Sequence, residues 1–361
     1  MVTRCVILLF ACLACNSHGL VAPRTNSVQT FGESSAELWH YRDEVPAASK
    51  LFASFLLAFN SAARLPIVHA REESSPTVHK RRAGQVTIMK LMLKSAAVVV
   101  PHPQKAKREY ELPPKCGGED AYFVEDSAGA LGVADGVGGW SGKGIDPGIF
   151  SRQLMNFAAA EARAGIRDPA EMLQRAHAKT TAEGSSTALI LTLKKPSFDL
   201  VNTVDVQTTK HKLVAAHLGD SGFLHLRSGQ VLYQSKPQQH AFNTPVQLGA
   251  PGGKSGGPDQ AKKIELEDIQ AGDLLILGTD GVFDNAYADE IASIAFDGSE
   301  LKKEPQEIAS ALARRVQFWA TDGRRMSPFA EEAAKEGYNL QGGKLDDITV
   351  VVAVVGAESL Q

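Results

Sequence analysis

The stretch LGVADGVGGW, residues 131–140, decides the fold. Its apolar run, Leu131 to Ala134, reads as a buried strand. The run ends in one carboxylate, Asp135, and three glycines follow within the next four residues. A buried carboxylate is costly unless a partner neutralises it. Clustered glycine loses more chain entropy on folding than other residues. Stability alone therefore does not explain the stretch, and the partner of Asp135 has to be supplied by other parts of the chain.

Those other parts belong to an ordinary globular composition. The 361 residues are 43% hydrophobic and 22% charged, with a formal net charge of -3. That balance argues against a nucleic-acid binder, which carries a basic patch. Of the cysteines, Cys5, Cys12 and Cys15 fall in the first fifteen residues, leaving Cys116. No disulfide framework or cysteine zinc cluster follows from one thiol. A cysteine phosphatase needs Arg six residues after its nucleophile, and that position is Tyr122.

The start, MVTRCVILLFACLACNSHG, has one Arg, an apolar run and small residues, the pattern of a secretory signal. An acid-poor segment, LVAPRTNSVQT, follows. The pair resembles the two-part plastid addresses of algae with secondary plastids, with mitochondrion or secretory route as alternatives. A second apolar stretch spans 51–70, and 71–84 reads as a polar linker. Residues 1–84 are therefore expected to be a leader, disordered or removed, and no stable membrane insertion is expected after processing.

From Val86 the texture becomes β-rich. VTIMKLMLKSAAVVVP, DAYFVEDSAGALGVADG, SSTALILTL, DLVNTVDVQ, HKLVAAHL and DLLILG read as strands, and GFLHLRSGQVLYQ as a hairpin. DPGIFSRQLMNFAAAEARAG and DPAEMLQRAHAKTTAEG each open with an Asp cap and Pro at the first helical position. PQEIASALARRVQFWATD puts Ile308, Leu312 and Val316 on one helix face. The closing strand, DDITVVVAVVG, is apolar on both faces, so its sheet is expected to be covered on both sides. The segment 235–262 is expected to be a mobile flap beside the site, because it is long and rich in Gly, Pro and Gln. The predicted fold class is α+β, with a domain over 85–356 and a short tail, 357–361.

Four strands carry acids at their ends. Asp135 ends one, Asp280 follows another, Glu119 and Asp120 open a third, and Asp346 and Asp347 open the last. If those ends converge, several carboxylates share one pocket and cannot all ionise unaided. Hard cations such as Mg²⁺ or Mn²⁺, which take carboxylate and carbonyl oxygen, resolve the conflict.

At this point the ordered motifs GGEDAYFV, GVADGVGGW, GSSTALI, LGDSGF, LGTDGVFDN and KLDDITVVV resemble the metal-dependent type 2C (PPM) serine/threonine protein phosphatases. PHPQKAKREYELPPKCGGEDAYFV is similar to the small mitochondrial and plastid branch. The resemblance implies a four-layer α-β-β-α sandwich: two antiparallel sheets flanked by helix pairs, with a two-metal centre at one end. It implies that Asp135 bridges two Mg²⁺ or Mn²⁺ ions, that Glu119 and the Gly136 carbonyl hold one, and that Asp280 and Asp346 hold the other. Asp284 would lie near a third, weaker ion, and Asp120 would orient the water that attacks phosphorus. The implied partner is a phosphoprotein substrate, and the default oligomeric state is monomer.

Two positions depart from the family pattern. Lys115 stands where many members have a phosphate-gripping Arg, so the bidentate fork is missing. Val137 stands where many have a His proposed as general acid. Ala182 or Glu183 occupies the region of an acidic third-metal ligand. The alternative of another class is a catalytically silent phosphatase-like domain that binds and regulates a phosphoprotein. Other motifs carry less. In AAHLGDSG, His217 and Ser221 lie about 13 Å apart on an extended segment, too far for a catalytic dyad. GAPGGKS lacks the strand and helix of a phosphate loop. His102, His177, His211, His225 and His240 show no ligand spacing.

Overall fold

The computed structural model describes residues 89–105, 118–194, 211–253 and 256–359. The leader, with its segment 51–70, lies outside these residues, as do Lys115, Cys116 and the expected strand 199–207.

Alternation builds the layers. One sheet is ordered β1 (Met89–Val100), β14 (Ile348–Ser359), β13 (Leu274–Gly278), β7 (Gly222–Arg227) and β8 (Gln230–Gln234). The other is ordered β12 (Lys262–Ile269), β6 (His211–Leu218), β5 (Ala188–Lys194), β3 (Ala130–Asp135) and β2 (Asp120–Glu125). All of these pairings are antiparallel. Two minor ladders pair β4 (Ser185–Ser186) with β11 (Leu248–Gly249), and β9 (Gln239–Ala241) with β10 (Thr244–Pro245).

Period two sends successive residues of β14 to opposite faces. Ile348, Val350 and Val352 pack outward against α4 (Ala288–Glu300) and α5 (Pro305–Ala320). Val351, Ala353 and Val355 pack inward against Leu131, Val133 and Leu189 of the second sheet. On the far side, Phe123, Ala134 and Ile190 meet Phe150, Leu154 and Met155 of α1 (Pro147–Arg163), and Met172 and Leu173 of α2 (Pro169–Lys179). The result is the expected four-layer α-β-β-α sandwich, with its helix pairs outside. Short helices α3 (Asp280–Phe283) and α6 (Pro328–Lys335) complete it.

Local chemistry sets the boundaries. The Asp146 carboxylate accepts from Gly148 N at 2.8 Å, and Asp168 accepts from Ala170 N at 3.0 Å, so both helices begin where the Asp-Pro pairs place them. Ser228 and Gly229 take positive φ of 50° and 77°, the mirror-image turn that suits a two-residue hairpin.

Three expectations change. β14 continues to Ser359, in register with Met89, so residues 357–359 belong to the sheet rather than to a tail. The backbone ladder holds them although they lack apolar patterning. The segment 235–262 is not one open loop: it carries β9, β10 and β11 and is tied down by Gln238 Nε2, which donates to His217 O at 2.6 Å. Finally, β6 turns at Gly219 (φ +100°) into β7 of the other sheet, so His217 and Ser221 do approach. His217 Nε2 meets the Ser221 carbonyl at 2.7 Å, while the Ser221 hydroxyl bonds Thr187 Oγ1, so no dyad forms.

At the end of β7 remote from Asp220, buried Asp273 joins His225 (2.8 Å) and Arg227 (2.6 Å). Burial pushes its carboxyl up, but the Arg227 and His225 hydrogen bonds outweigh that and bring it down to about 2. A depressed carboxylate contributes stability above its unfolded pKa, and that contribution is lost as pH falls through the folded value. Asp273→Asn should therefore cost roughly 2 kcal/mol at pH 7. The gap from the parent should close on acidification toward pH 2, measured by urea unfolding. A gap that stays constant with pH would contradict this.

Candidate metal centre

The register of β2 and β3 places Asp120 directly opposite Asp135. Gly136 N donates to Glu119 O at 3.0 Å beyond the pair, so the two acids sit at a close, non-hydrogen-bonded position of the ladder. Gly136 of the opening stretch now has a reason. A Cβ on Gly136 would lie 2.7 Å from Glu119 O and 2.9 Å from Pro147 O. Gly118 has φ +64°, and a Cβ there would strike the Asp347 carboxylate at 2.2 Å. Chain segments meet here too closely for side chains.

Other strand ends arrive at the same place. Asp280 is the first residue of α3, two positions past β13 rather than on the strand itself, and Asp284 lies one turn later. Asp346 and Asp347 precede β14. Asp220 stands in the link between β6 and β7. Asp120 is almost wholly buried, and its Oδ2 accepts from Thr279 Oγ1 at 2.8 Å and Thr349 Oγ1 at 2.7 Å. Asp347 accepts from the backbone N–H groups of His102 (2.7 Å) and Glu119 (2.9 Å).

Two ammonium groups stand among the acids. Lys344 Nζ lies 2.5 Å from Asp280, 2.7 Å from Asp284 and 3.3 Å from Asp346. Lys105 Nζ lies 2.7 Å from both Glu119 and Asp347. Neither lysine, nor Thr279 or Thr349, was marked by the acid-Gly pattern. Lys344 was findable as a basic residue two positions before a paired acid. The threonines have no sequence signal short of the fold.

The charges strain one another. Burial, then the charges of Asp280 and Asp120, raise the Asp135 carboxyl well above the usual range. Burial and Asp347 do the same to Asp120. Asp346 is raised by burial and Asp280. Burial lifts Asp220 to about 6 and Asp284 to about 7, the latter despite Lys344. Asp280 alone goes down, because Lys344 outweighs its burial.

The donor set suits hard cations. Asp120 Oδ1 and Asp280 Oδ1 are buried with no hydrogen-bond partner among the described residues. Such orphaned anionic oxygens call for a cation or ordered water. The two lysines already show where positive charge settles. Among the described residues, no three His, Cys, Asp or Glu side chains are gathered tightly enough to hold one ion by themselves, and Lys344 is the group standing between three of them.

A family model described as Stage II sporulation protein E (SpoIIE) matches residues 128–355. The chain belongs to this family, the type 2C (PPM) phosphatases. It is 38% identical over 288 residues to "Probable protein phosphatase 2C 80" of Arabidopsis thaliana, covering 79% of this chain and 62% of that protein. It is 39% identical over 266 residues to "Protein phosphatase PTC7 homolog" of Danio rerio, covering 66% and 82%. The X-ray structure of the photosystem II phosphatase PBCP is 33% identical with a TM-score of 0.59, covering 73% of this chain and 98% of that one. The chain spans 46% to 62% of the length of three of its plant relatives.

The raised carboxyls carry a pH prediction. A carboxyl whose folded pKa exceeds its unfolded value keeps a proton that the unfolded chain has lost, so stability declines as pH rises between the two. For Asp220 and Asp284 that window runs from about 4 to about 7. In EDTA the thermal midpoint should therefore fall across this window, and Asp284→Asn should flatten the fall. An unchanged slope in the Asn variant would count against the assignment.

Proposed function

We propose that the chain is a divalent-metal-dependent protein serine/threonine phosphatase that hydrolyses phosphoserine and phosphothreonine esters in protein substrates. The observation that carries this reading is the convergence of Glu119, Asp120, Asp135, Asp280, Asp284 and Asp346 at one end of the sandwich. Its support is the orphaned oxygens, the raised carboxyls and membership of the family.

In this reading Asp135, Glu119, the Gly136 carbonyl, Asp280 and Asp346 would hold two ions, and Asp284 would serve a third, weaker one. Bound Mg²⁺ or Mn²⁺ supplies positive charge against the phosphoryl oxygens and lowers the pKa of water to make a nucleophile. The protein's own task is positioning. Thr279 and Thr349 fix one oxygen of Asp120, which leaves the other free to orient a water. Trp140 Nε1 donates to Ser185 Oγ at 2.7 Å, and Ser141 Oγ donates to Glu119 at 3.2 Å, so the turn after Asp135 is braced against the site. Val137 donates its N–H to Ser185 O at 2.9 Å. It has no side-chain proton to give, so protonation of the departing alkoxide falls to solvent. Lys115, outside the described residues, would meet the phosphate as a point charge. The silent phosphatase-like alternative has no missing core acid to rest on.

The location follows the leader. We infer entry into a plastid through a two-part presequence. The likeness to PBCP, a photosystem II phosphatase, supports this.

Phosphate release from a phosphothreonine peptide tests the function. The full chain with Mn²⁺ should turn the peptide over, and EDTA should abolish release. Asp135→Asn and Asp280→Asn should each lose nearly all turnover, on the order of 10³-fold, while keeping the parent circular dichroism. Full activity in EDTA, or in either variant, would refute the reading.

A further inference from the structure

Lys344 is the least expected member of the site. Its ammonium has three N–H donors and faces three carboxylates, at 2.5, 2.7 and 3.3 Å. The backbone beneath it is fixed. Lys344 N donates to Asn285 Oδ1 at 2.8 Å, and Asn285 Nδ2 donates back to Lys344 O at 2.8 Å. Asn285 is fully buried and also donates to Gly281 O, so it locks the start of α3 to this segment. The fixed Cα aims a four-carbon arm at Asp280 and Asp284. Beside that arm lies the Phe329 ring, its centroid 5.3 Å from Nζ. Phe329 is itself packed against Phe242 at 5.1 Å, and its N–H donates to Asp284 O at 3.0 Å. The ammonium thus has two resting places within reach: the carboxylates, and an aromatic face that attracts cations.

We propose that Lys344 is an internal competitor for the cation of this half-site and sets its affinity. The inference rests on the metal-dependent reading above. A divalent ion on Asp280, and the weaker ion on Asp284, each need an oxygen that the ammonium now holds, Oδ2 of Asp280 and Oδ2 of Asp284. Two positive groups cannot share them without strong repulsion. Ion binding in this half therefore displaces the ammonium toward Phe329 and forfeits three charge-assisted contacts. The ion binds more weakly than it would with the ammonium gone, and it exchanges readily. The orphaned Oδ1 of Asp280 gives the incoming ion a first contact before the lysine yields.

Calorimetric titration of the full chain with Mn²⁺ tests this without reference to turnover. Lys344→Gln removes the charge and nearly keeps the length. It should tighten Mn²⁺ binding by about tenfold or more. In EDTA its thermal midpoint should fall below the parent's, and Mn²⁺ should raise that midpoint by more than it raises the parent's. Lys344→Arg keeps the charge, so it should show no tightening. Lys335→Gln, on the exposed face of α6, should bind as the parent does. Equal or weaker binding in folded Lys344→Gln, or tightening in Lys344→Arg as well, would overturn the proposal while leaving the metal-dependent reading intact. A parent chain that binds no Mn²⁺ would overturn both.

Discussion

The structure depends on one juxtaposition: two carboxylates, Asp120 and Asp135, opposite each other at the end of an antiparallel ladder. Like charges so placed repel, and burial makes each more costly. Register is the reason they cannot part. A slip of one residue between β2 and β3 would turn Phe123 and Ala134 out of the helix-facing core and send Leu131 and Val133 to the wrong layer. The apolar layers therefore hold the acids together, and the site is strained by the packing that builds the domain.

The neighbours of this pair fall into two groups. Thr279, Thr349 and the backbone N–H groups of His102 and Glu119 satisfy carboxylate oxygens without charge. Lys105 and Lys344 supply charge but hold only part of the set. What remains, an orphaned oxygen on Asp120 and another on Asp280, is the demand that hard cations meet. Function and folding thus work against each other at this end of the sandwich, while the network of Asp273, His225 and Arg227 stabilises the other end.

Much of this was legible in the sequence because strands announce both their faces and their ends. The doubly apolar ITVVVAVV required a covered sheet, and two Asp-Pro pairs set two helix starts. The acids at strand ends named the site. What escaped did so for physical reasons. KKIELEDI, now β12, alternates as a strand should, but its charged face resembles the polar segment before it. The helix Ala288–Glu300 has a narrow apolar stripe of Ile291, Ala292 and Ala295, thinned by alanine. Thr279 and Thr349 become carboxylate partners only when two strands align, which no local pattern reveals. Lys344 comes to Asp280 and Asp284 from 64 and 60 residues away, a contact that only the fold makes.

The central claim is that the converged acids hold divalent ions. Anomalous diffraction from crystals of the chain grown with Mn²⁺ tests it directly. The account predicts anomalous peaks against the Asp135 carboxylate, one on the side of Glu119 and one on the side of Asp280, with the Lys344 ammonium drawn off Asp280. Absence of anomalous density at Asp135, with Lys105 and Lys344 keeping the ion pairs described above, would contradict it.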